Sequence, residues 1–316
     1  MIESLLPASW PSSLLEETFH PLGFPVRIAT NSKAILDLAR REWGEWIPAF
    51  HEQPVTVRFE VTDARGTLPP PAQFRGHRHL FALTADSANF AICDTRAGVG
   101  AAWLTTPAVD DIGYFHYHFL DAMVHLVLES MYLTPIHATC VAREGRGILL
   151  CGDSGAGKST LAYACSRRGW TYVSDDASYL VRRRASDRLV IGNAHRIRLR
   201  PDAALLFPEL SVHTPALRGN GKMSLELWTR QLKSITASLA AQVDRMVFLA
   251  RKPEGEARWK PLPKPEARAW CESVFFHWDP EIEVEQSATL SALLDTCELR
   301  TLEYSNFQDA VDFLEG

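Results

Sequence analysis

The stretch that decides the fold is Cys151-Gly152-Asp153-Ser154-Gly155-Ala156-Gly157-Lys158-Ser159-Thr160. It matches the phosphate-loop pattern G-x-x-x-x-G-K-[ST], with Gly152 and Gly157 as the two fixed glycines. Glycines at these positions let backbone N–H groups turn inward around an anion, and the lysine reaches the β- and γ-phosphates of a nucleotide. We therefore predict a P-loop in which residues 152–160 bind nucleotide phosphates and the Ser159 hydroxyl binds Mg²⁺.

The residues on either side of the loop provide the context that this pattern needs. Gly147–Cys151 is predicted to be a short buried strand, and Ser159–Cys165 a helix that ends near Gly169. The helix should begin at about Lys158, which points its positive end at the phosphates. Strand, glycine loop and helix in this order favour a nucleotide site over a glycine-rich turn without a ligand.

Composition limits the class of protein. The chain has 316 residues, 46% of them hydrophobic, which is enough for one large domain or two ordinary ones. Its formal net charge of −5 argues against a general nucleic-acid binder, and no apolar run approaches the length of a membrane span. The N-terminus lacks the basic region of a signal peptide, and six scattered cysteines without a C-x-x-C pair indicate reduced thiols. We expect a cytoplasmic protein.

The chain divides into two predicted regions. Residues 1–109 form an N-terminal α+β region of unknown role, which ends in an antiparallel meander. Residues 110–316 form the P-loop domain, which begins with a long helix over Asp110–Met131. Alternating segments after the P-loop helix, and apolar strands at 243–250 and 299–304, predict an α/β fold with a mixed sheet.

Two consecutive acids follow the P-loop helix. Asp175 and Asp176 stand at the end of the predicted strand Trp170–Ser174, and this end of such a unit opens beside the phosphates. Adjacent strand residues point to opposite faces, so one carboxylate can face the metal and the other an incoming hydroxyl, whose proton it would accept. The alternative is that the pair only opens a turn.

Basic residues and one histidine complete the candidate site. His137 lies on the predicted strand Ile136–Ala142, which would bring it near the phosphates if that strand pairs with the P-loop strand; otherwise it is an ordinary half-buried histidine. Arg198 and Arg200 share one face of a strand and are candidates to stabilise charge on a transferring phosphoryl group, as is Lys222. The alternative for these three is a solvated surface role.

Four stretches of the chain together resemble the catalytic domain of HPr kinase/phosphorylase. They are Ile136-His137-Ala138, the P-loop, Arg168-Gly169-Trp170 and Val173-Ser174-Asp175-Asp176. The resemblance implies an HPr-kinase/PEP-carboxykinase-like P-loop fold, ATP and Mg²⁺ as cofactors, a serine hydroxyl as acceptor and a multimeric assembly. It implies Asp175 as the base, with Asp176 and Ser159 toward the metal, and it makes His137 an active-site residue.

Three features depart from the pattern of that family. Thr160 stands where the bifunctional enzymes usually have Glu, and residues 195–201 stand in the neighbourhood of their Glu-x-Arg-Gly motif without containing it. Residues 1–107 do not resemble their N-terminal domain. The chain resembles more closely the divergent HPr-kinase-related proteins, some of which are similar to tailoring kinases for ribosomal peptides.

The function that we expect is an ATP- and Mg²⁺-dependent kinase acting on a serine or other hydroxyl of a peptide, protein or small molecule. Its predicted catalytic residues are Lys158, Asp175, His137 and Arg200. The alternatives are a nucleotide-binding sensor or switch, which binds without transfer, and an ATPase without an acceptor. The chain has no N-K-x-D motif for reading guanine, which favours ATP. We expect neither a nucleic-acid nor a membrane partner, and the resemblance implies a homo-oligomer.

Overall fold

A computed structural model of the chain describes residues 14–218, 221–273, 275 and 278–316, and these form two compact units. The first unit comprises the described residues up to 132 together with 278–283. The second comprises the described residues from 133 to 275 together with 284–316. The N-terminal residues 1–7, on which we base the expectation of no signal peptide, lie outside the described residues.

The first unit is built on a mixed sheet of seven strands within its described residues. In spatial order β1–β2–β3–β7–β6–β5–β4, the central β2, β3 and β7 are parallel, and the strands from β7 to β4 are antiparallel. The predicted meander is therefore confirmed. The strands are β1 (Leu15–Phe19), β2 (Val26–Thr30), β3 (Val55–Thr62), β4 (Gln73–His77), β5 (Leu80–Thr84), β6 (Phe90–Asp94) and β7 (Val99–Thr105).

The helices of the first unit include the long helix that we expected to open the second domain. It is continuous from Ile112–Phe115 (α3) through a π-helical turn at His116–Leu120 into Asp121–Met131 (α4). The ring of Phe115 packs on the ring of Phe59 in β3, with centroids 5.3 Å apart. Its apolar side thus belongs to the core of the first sheet, and the first unit ends at Tyr132 instead of residue 109. The helices are α1 (Lys33–Trp43), α2 (Thr106–Asp110), α3 (Ile112–Phe115) and α4 (Asp121–Met131).

The second unit contains a mixed sheet of ten strands within its described residues, as the α/β prediction requires. The P-loop strand β10 lies between β9, which is antiparallel to it, and β18, which is parallel, and β18 pairs in parallel with β20. The strands of this sheet are β8 (Leu133–Ile136), β9 (Ala138–Arg143), β10 (Arg146–Cys151), β11 (Thr171–Ser174), β12 (Ser178–Val181), β13 (Leu189–Gly192), β17 (Thr236–Ala237), β18 (Ala240–Arg251), β19 (Arg258–Pro261) and β20 (Glu298–Tyr304).

A smaller sheet and the helices cover this central sheet. The small sheet has the order β14–β16–β15, with β14 (Arg196–Leu199), β15 (Ala216–Leu217) and β16 (Met223–Trp228). The helices are α5 (Lys158–Arg167), α6 (Ala203–Leu206), α7 (Lys264–Glu272), α9 (Phe307–Glu315) and α8 (Pro280–Thr296), of which residues 284–296 belong to this unit. Because helices pack on both faces, β10 is apolar on both sides: Leu150 joins the core beneath α5 and α9, and Leu149 the core beneath α7 and α8.

The cysteines lie where the sequence places apolar runs. Five of the six, all within the described residues, are buried thiols and Cys297 is half-buried. Burial raises the pKa of Cys140 and of Cys165 to about 12, so these thiols are neutral and unreactive at pH 7. Among the residues that the structure describes, no helix is both long and apolar enough to cross a bilayer.

Candidate functional site

The P-loop adopts a backbone that requires its glycines. It connects the end of β10 to the start of α5, as predicted, and Gly152, Gly155 and Gly157 have φ values of 145°, 93° and 97°. L-residues rarely adopt such φ values, which lets successive N–H groups turn toward one side. At Gly157 space is short as well, because a Cβ there would lie 2.5 Å from the hydroxyl of Tyr304.

Two aromatic residues form hydrogen bonds with the P-loop. Tyr304, at the end of β20, donates a hydrogen bond of 2.6 Å from its hydroxyl to the carbonyl of Ala156. Trp270 of α7 donates from Nε1 to the Asp153 carboxylate at 3.4 Å. Burial raises the pKa of Tyr304 to about 12, which keeps the hydroxyl protonated as a donor. Sequence reasoning missed both residues. The available signal for Tyr304 was an aromatic residue at the end of a predicted strand, and Trp270 in α7 had no comparable signal.

Lys158 lies inside the loop. Its side chain is nearly buried, at 6% exposure, and Nζ donates to the carbonyl of Gly152 at 2.7 Å. Nζ also lies 3.3 Å from Nε2 of His137. Burial lowers the pKa of Lys158, while the carboxylates of Asp176 and Asp175 act in the opposite direction. The structure thus brings Lys158 and His137 together, as the candidate site requires.

Ser159 and Asp175 form the first polar pair of the site. The Ser159 hydroxyl donates to Oδ1 of Asp175 at 2.5 Å, and the backbone N–H of Arg198 donates to Oδ2 at 2.9 Å. Burial raises the pKa of Asp175, and these two hydrogen bonds oppose that shift. A hydroxyl next to a partly desolvated carboxylate fits Mg²⁺, which in nucleotide sites binds one or two protein oxygens and takes its other ligands from phosphates and water.

Asp176 and His137 form the second polar pair. Asp176 has a φ of 61°, at a turn in which Ala177 N–H donates to the carbonyl of Asp175. Its side chain is 63% exposed, and Oδ1 lies 3.6 Å from Nδ1 of His137. Because the ammonium of Lys158 can only donate, Nε2 of His137 accepts and the imidazole proton sits on Nδ1, facing Asp176. Burial lowers the pKa of His137, and the charge of Lys158 lowers it further.

The contacts of the two acids do not follow the roles that the resemblance implies. Those roles are Asp175 as the base, and Asp176 with Ser159 toward the metal. Instead, Ser159 contacts Asp175, and the exposed Asp176 contacts His137. The sequence predicted that the two carboxylates would point apart, but it contained nothing that assigned a partner to each.

The predicted arginines lie at the site in different ways. Arg200 Nη2 is 3.5 Å from the Ser154 hydroxyl, and Arg200 is also the group nearest to Gly155 at the tip of the loop. The Arg198 guanidinium instead pairs with Glu226 of β16, with Nε 3.0 Å from Oε1. Both arginines and Lys222 line the same cavity. Of these two arginines, Arg200 is therefore the one that contacts the phosphate loop directly.

One cavity of about 460 Å³ is lined by the candidate side chains of the site, which are His137, Lys158, Ser159, Asp175, Asp176, Arg198, Arg200 and Lys222. Its size is within the range of small-molecule sites, about 300–1,000 Å³. Six basic side chains and four carboxylates of the described residues line it, and such an excess of positive charge attracts a polyphosphate. The basic residues are Lys158, Arg198, Arg200, Arg218, Lys222 and Arg251, and the acids are Asp153, Asp175, Asp176 and Asp202.

Comparison with known proteins finds similarity over part of the chain. No family model matches it. The HPr kinase/phosphorylase of Caldicellulosiruptor bescii is 32% identical over 90 residues, which are 28% of this chain and 24% of that protein. The HPr kinase/phosphorylase of Exiguobacterium sp. is 35% identical over 72 residues, 23% of this chain and 22% of that protein. That of Halalkalibacterium halodurans is 36% identical over 104 residues, 32% of this chain and 29% of that protein.

A solved structure gives a more distant comparison. The Hpr(Ser) kinase/phosphatase from Coxiella burnetii aligns at 12% identity with a TM-score of 0.30, over 57% of this chain and 91% of that chain. The matches to curated relatives span about a quarter of the length of each relative. The predicted resemblance is confirmed to this extent: the chain is HPr-kinase-like over a limited stretch and divergent elsewhere.

Proposed function

We propose that this protein is an ATP- and Mg²⁺-dependent kinase that transfers the γ-phosphate to a serine or other hydroxyl of a peptide, a protein or a small molecule. The observation that carries the proposal is the arrangement of two polar pairs, Ser159–Asp175 and Asp176–His137, beside Lys158 in one cavity. The similarity to enzymes named HPr kinase/phosphorylase supports the same class of reaction.

Ser159 and Asp175 are the residues that we propose for the metal. Their oxygens are 2.5 Å apart at the start of α5, next to the loop that would hold the phosphates. When bound there, Mg²⁺ supplies charge neutralisation for the β- and γ-phosphate oxygens. The half-buried Asp175 carboxylate, whose pKa burial raises, gains more from a neighbouring cation than an exposed carboxylate would.

Asp176 is the residue that we propose as the base. Its exposed carboxylate accepts the proton of the acceptor hydroxyl as the new oxygen–phosphorus bond forms and the bond to the leaving nucleoside diphosphate breaks. The Nδ1–H of His137 faces this carboxylate at 3.6 Å, and burial and the charge of Lys158 favour the neutral imidazole. Lys158 and Arg200 bind the phosphates and stabilise their charge during transfer.

The test is phosphorylation of candidate acceptors encoded near this gene, followed by mass spectrometry after incubation with ATP and Mg²⁺. We expect Asp176→Asn to lower the transfer rate by about 10²–10⁴-fold while ATP binding, measured by calorimetry, is retained. Asp175→Asn should instead weaken the Mg²⁺ dependence of binding. If Asp175→Asn loses transfer but binds Mg²⁺ and ATP as the parent does, Asp175 is the base and this assignment of roles is wrong.

The other two functions predict different products in the same experiment. A sensor or switch would bind ATP and leave every acceptor unmodified, and an ATPase would release phosphate at a rate that no acceptor changes. The cytoplasmic location and the homo-oligomeric state both stay predictions.

A further inference from the structure

Three neighbouring parallel strands, β10, β18 and β20, have their carboxyl ends on the side of the sheet where the P-loop lies. The strand β18 is parallel to β10, and β20 is parallel to β18, so all three end on the same side. Arg251 is the last residue of β18, and Phe307 begins α9 shortly after β20 ends at Tyr304. In open α/β sheets, ligands bind outside the carboxyl ends of such strands.

Arg251 and Phe307 contact each other on this side of the sheet. The guanidinium carbon of Arg251 lies 4.9 Å from the centroid of the Phe307 ring, over its face, and both residues line the cavity. Arg251 is exposed and Phe307 is half-buried. We refer to these two residues as the Arg251–Phe307 platform.

The platform adjoins the phosphate loop. A Cβ built on Gly157 would lie 2.8 Å from an edge carbon of the Phe307 ring, so the ring is in contact with the loop. Among the described residues that line the cavity, Phe307 is the sole phenyl, phenol or indole ring; most of the others are charged, polar or glycine. The cavity therefore has one flat, weakly polar surface next to a cradle for phosphates.

We infer that the Arg251–Phe307 platform is the subsite for the nucleobase, an inference that rests on the proposed function. A base joined to the bound phosphates through a ribose reaches the nearest flat surface and stacks there. Aromatic rings and guanidinium planes both stack on bases, and such stacking contributes to affinity without reading the identity of the base. The phosphates and the base are then held by separate groups of residues.

Calorimetry with two ligands tests this separation. Mg²⁺ with ATP presents phosphates and a base, whereas Mg²⁺ with inorganic tripolyphosphate presents phosphates alone. We expect Phe307→Ala to weaken ATP binding about tenfold or more because stacking is lost, and to change tripolyphosphate binding by less than about twofold. Phe307→Tyr should bind ATP as the parent does, because the flat ring is retained.

Phe313→Ala is the matched control. Phe313 is also half-buried, lies on the same helix α9 and packs against Trp259, with ring centroids 6.2 Å apart, and it does not line the cavity within the described residues. This variant should lower the stability of the protein without changing the affinity for either ligand. Its thermal midpoint, compared with that of Phe307→Ala, separates loss of stability from loss of the base contact.

The outcomes distinguish failure of the platform from failure of the proposed function. If Phe307→Ala weakens the binding of both ligands equally, or of neither, the platform does not bind the base; transfer of phosphate from ATP by the parent protein would in that case still support the proposed function. If the parent protein binds neither ligand in the presence of Mg²⁺, the proposed function fails and the platform fails with it.

Discussion

Gly157 illustrates how one residue position meets two separate constraints. Its φ of 97° lies where L-residues are strained, and its missing Cβ makes room for the hydroxyl of Tyr304 and the ring of Phe307. Gly169 has a similar φ of 87°, but nothing lies within 4 Å of the position of its Cβ. Comparing substitutions at the two glycines therefore distinguishes the effect of backbone strain, which both positions share, from that of close packing, which only Gly157 has.

We predict that Gly157→Ala abolishes nucleotide binding, whereas Gly169→Ala does not. Both substitutions should destabilise the protein by about 1–2 kcal/mol through backbone strain. Gly157→Ala should cost about 1–3 kcal/mol more because its Cβ displaces Tyr304 or the loop. The measurements are urea unfolding and calorimetry with Mg²⁺ and ATP. Equal stability and equal binding of the two variants would show that the contact with Tyr304 is unimportant.

His137 gives a second prediction at the scale of one residue. Its folded-state pKa is lowered by burial and by Lys158, against a smaller opposing effect of Asp176. As pH falls through the unfolded-state value of about 6.5, the unfolded chain takes up the proton first, so stability is lost on acidification. Burial also lowers the pKa of His118 and His195, which contribute in the same direction.

We therefore expect His137→Gln to reduce the loss of unfolding free energy between pH 7.5 and pH 5.5, roughly the two sides of that value. The control is His51→Gln, since His51 is exposed in the first unit. Denaturant unfolding at a series of pH values measures the slope. A slope that is the same in the parent and in both variants would mean that His137 titrates as an unperturbed histidine.

The strands and helices were predicted with unequal success. The antiparallel meander and the strand–loop–helix unit are confirmed, because their alternation and their glycines are local features. The sequence interpretation missed β4, an exposed edge strand, and α8, a helix of 17 residues. Signals for α8 were present, with Glu281 and Glu283 in the first turn and leucines at 290, 293 and 294 on the buried side.

One carboxylate of β20 binds two basic side chains of β19, the strand that pairs with it. Glu303 of β20 accepts hydrogen bonds from Lys260 and Arg258 of β19, each at 2.7 Å, and these bonds lower its pKa to about 2. A carboxylate whose pKa is depressed on folding contributes stability that is complete above its ordinary pKa of 4.5 and is lost as pH falls toward about 2.

We expect Glu303→Gln to flatten the dependence of unfolding free energy on pH between 4.5 and about 2. Hydrogen exchange of the amides in β19 should also become faster at pH 7, because the two basic side chains lose their carboxylate partner. The control is Glu254→Gln, which changes an exposed residue of the turn between β18 and β19. Unchanged exchange in β19 would indicate that the backbone ladder alone holds this strand.

The whole molecule contains two units, each with its own sheet and core. The residues of the candidate site all belong to the second unit. A ligand that binds the native state stabilises the unit that binds it, by about 2.7 kcal/mol at a concentration one hundred times its Kd. Thermal unfolding followed by calorimetry can therefore show which part of the chain binds the nucleotide.

We predict that Mg²⁺ with ATP raises the midpoint of the unfolding transition that belongs to the second unit. Lys158→Ala should remove this shift, since the ammonium lies within the P-loop. The control is Lys33→Ala, at the exposed start of α1 in the first unit. A nucleotide-induced shift that is the same in Lys158→Ala as in the parent would show that the nucleotide binds elsewhere.

The sequence by itself determined the P-loop, the strand before it, the helix after it and the position of the two acids at a strand end. These features depend on residues close together in the chain, because turns, caps and glycine backbones are local. A mixed α/β sheet followed from the alternation of the segments around them. The candidate residues Lys158, Ser159, Asp175, Asp176 and His137 do lie in one cavity.

The tertiary structure alone decided which partners these residues have. The order of the strands brings Tyr304 into contact with Ala156, which is 148 positions away in the sequence. The turn at Asp176 places the Asp175 carboxylate next to Ser159 and the Asp176 carboxylate next to His137. It also packs the helix before Tyr132 on the first sheet. Contacts between residues far apart in sequence depend on how strands and helices pack together, and no local pattern encodes that choice.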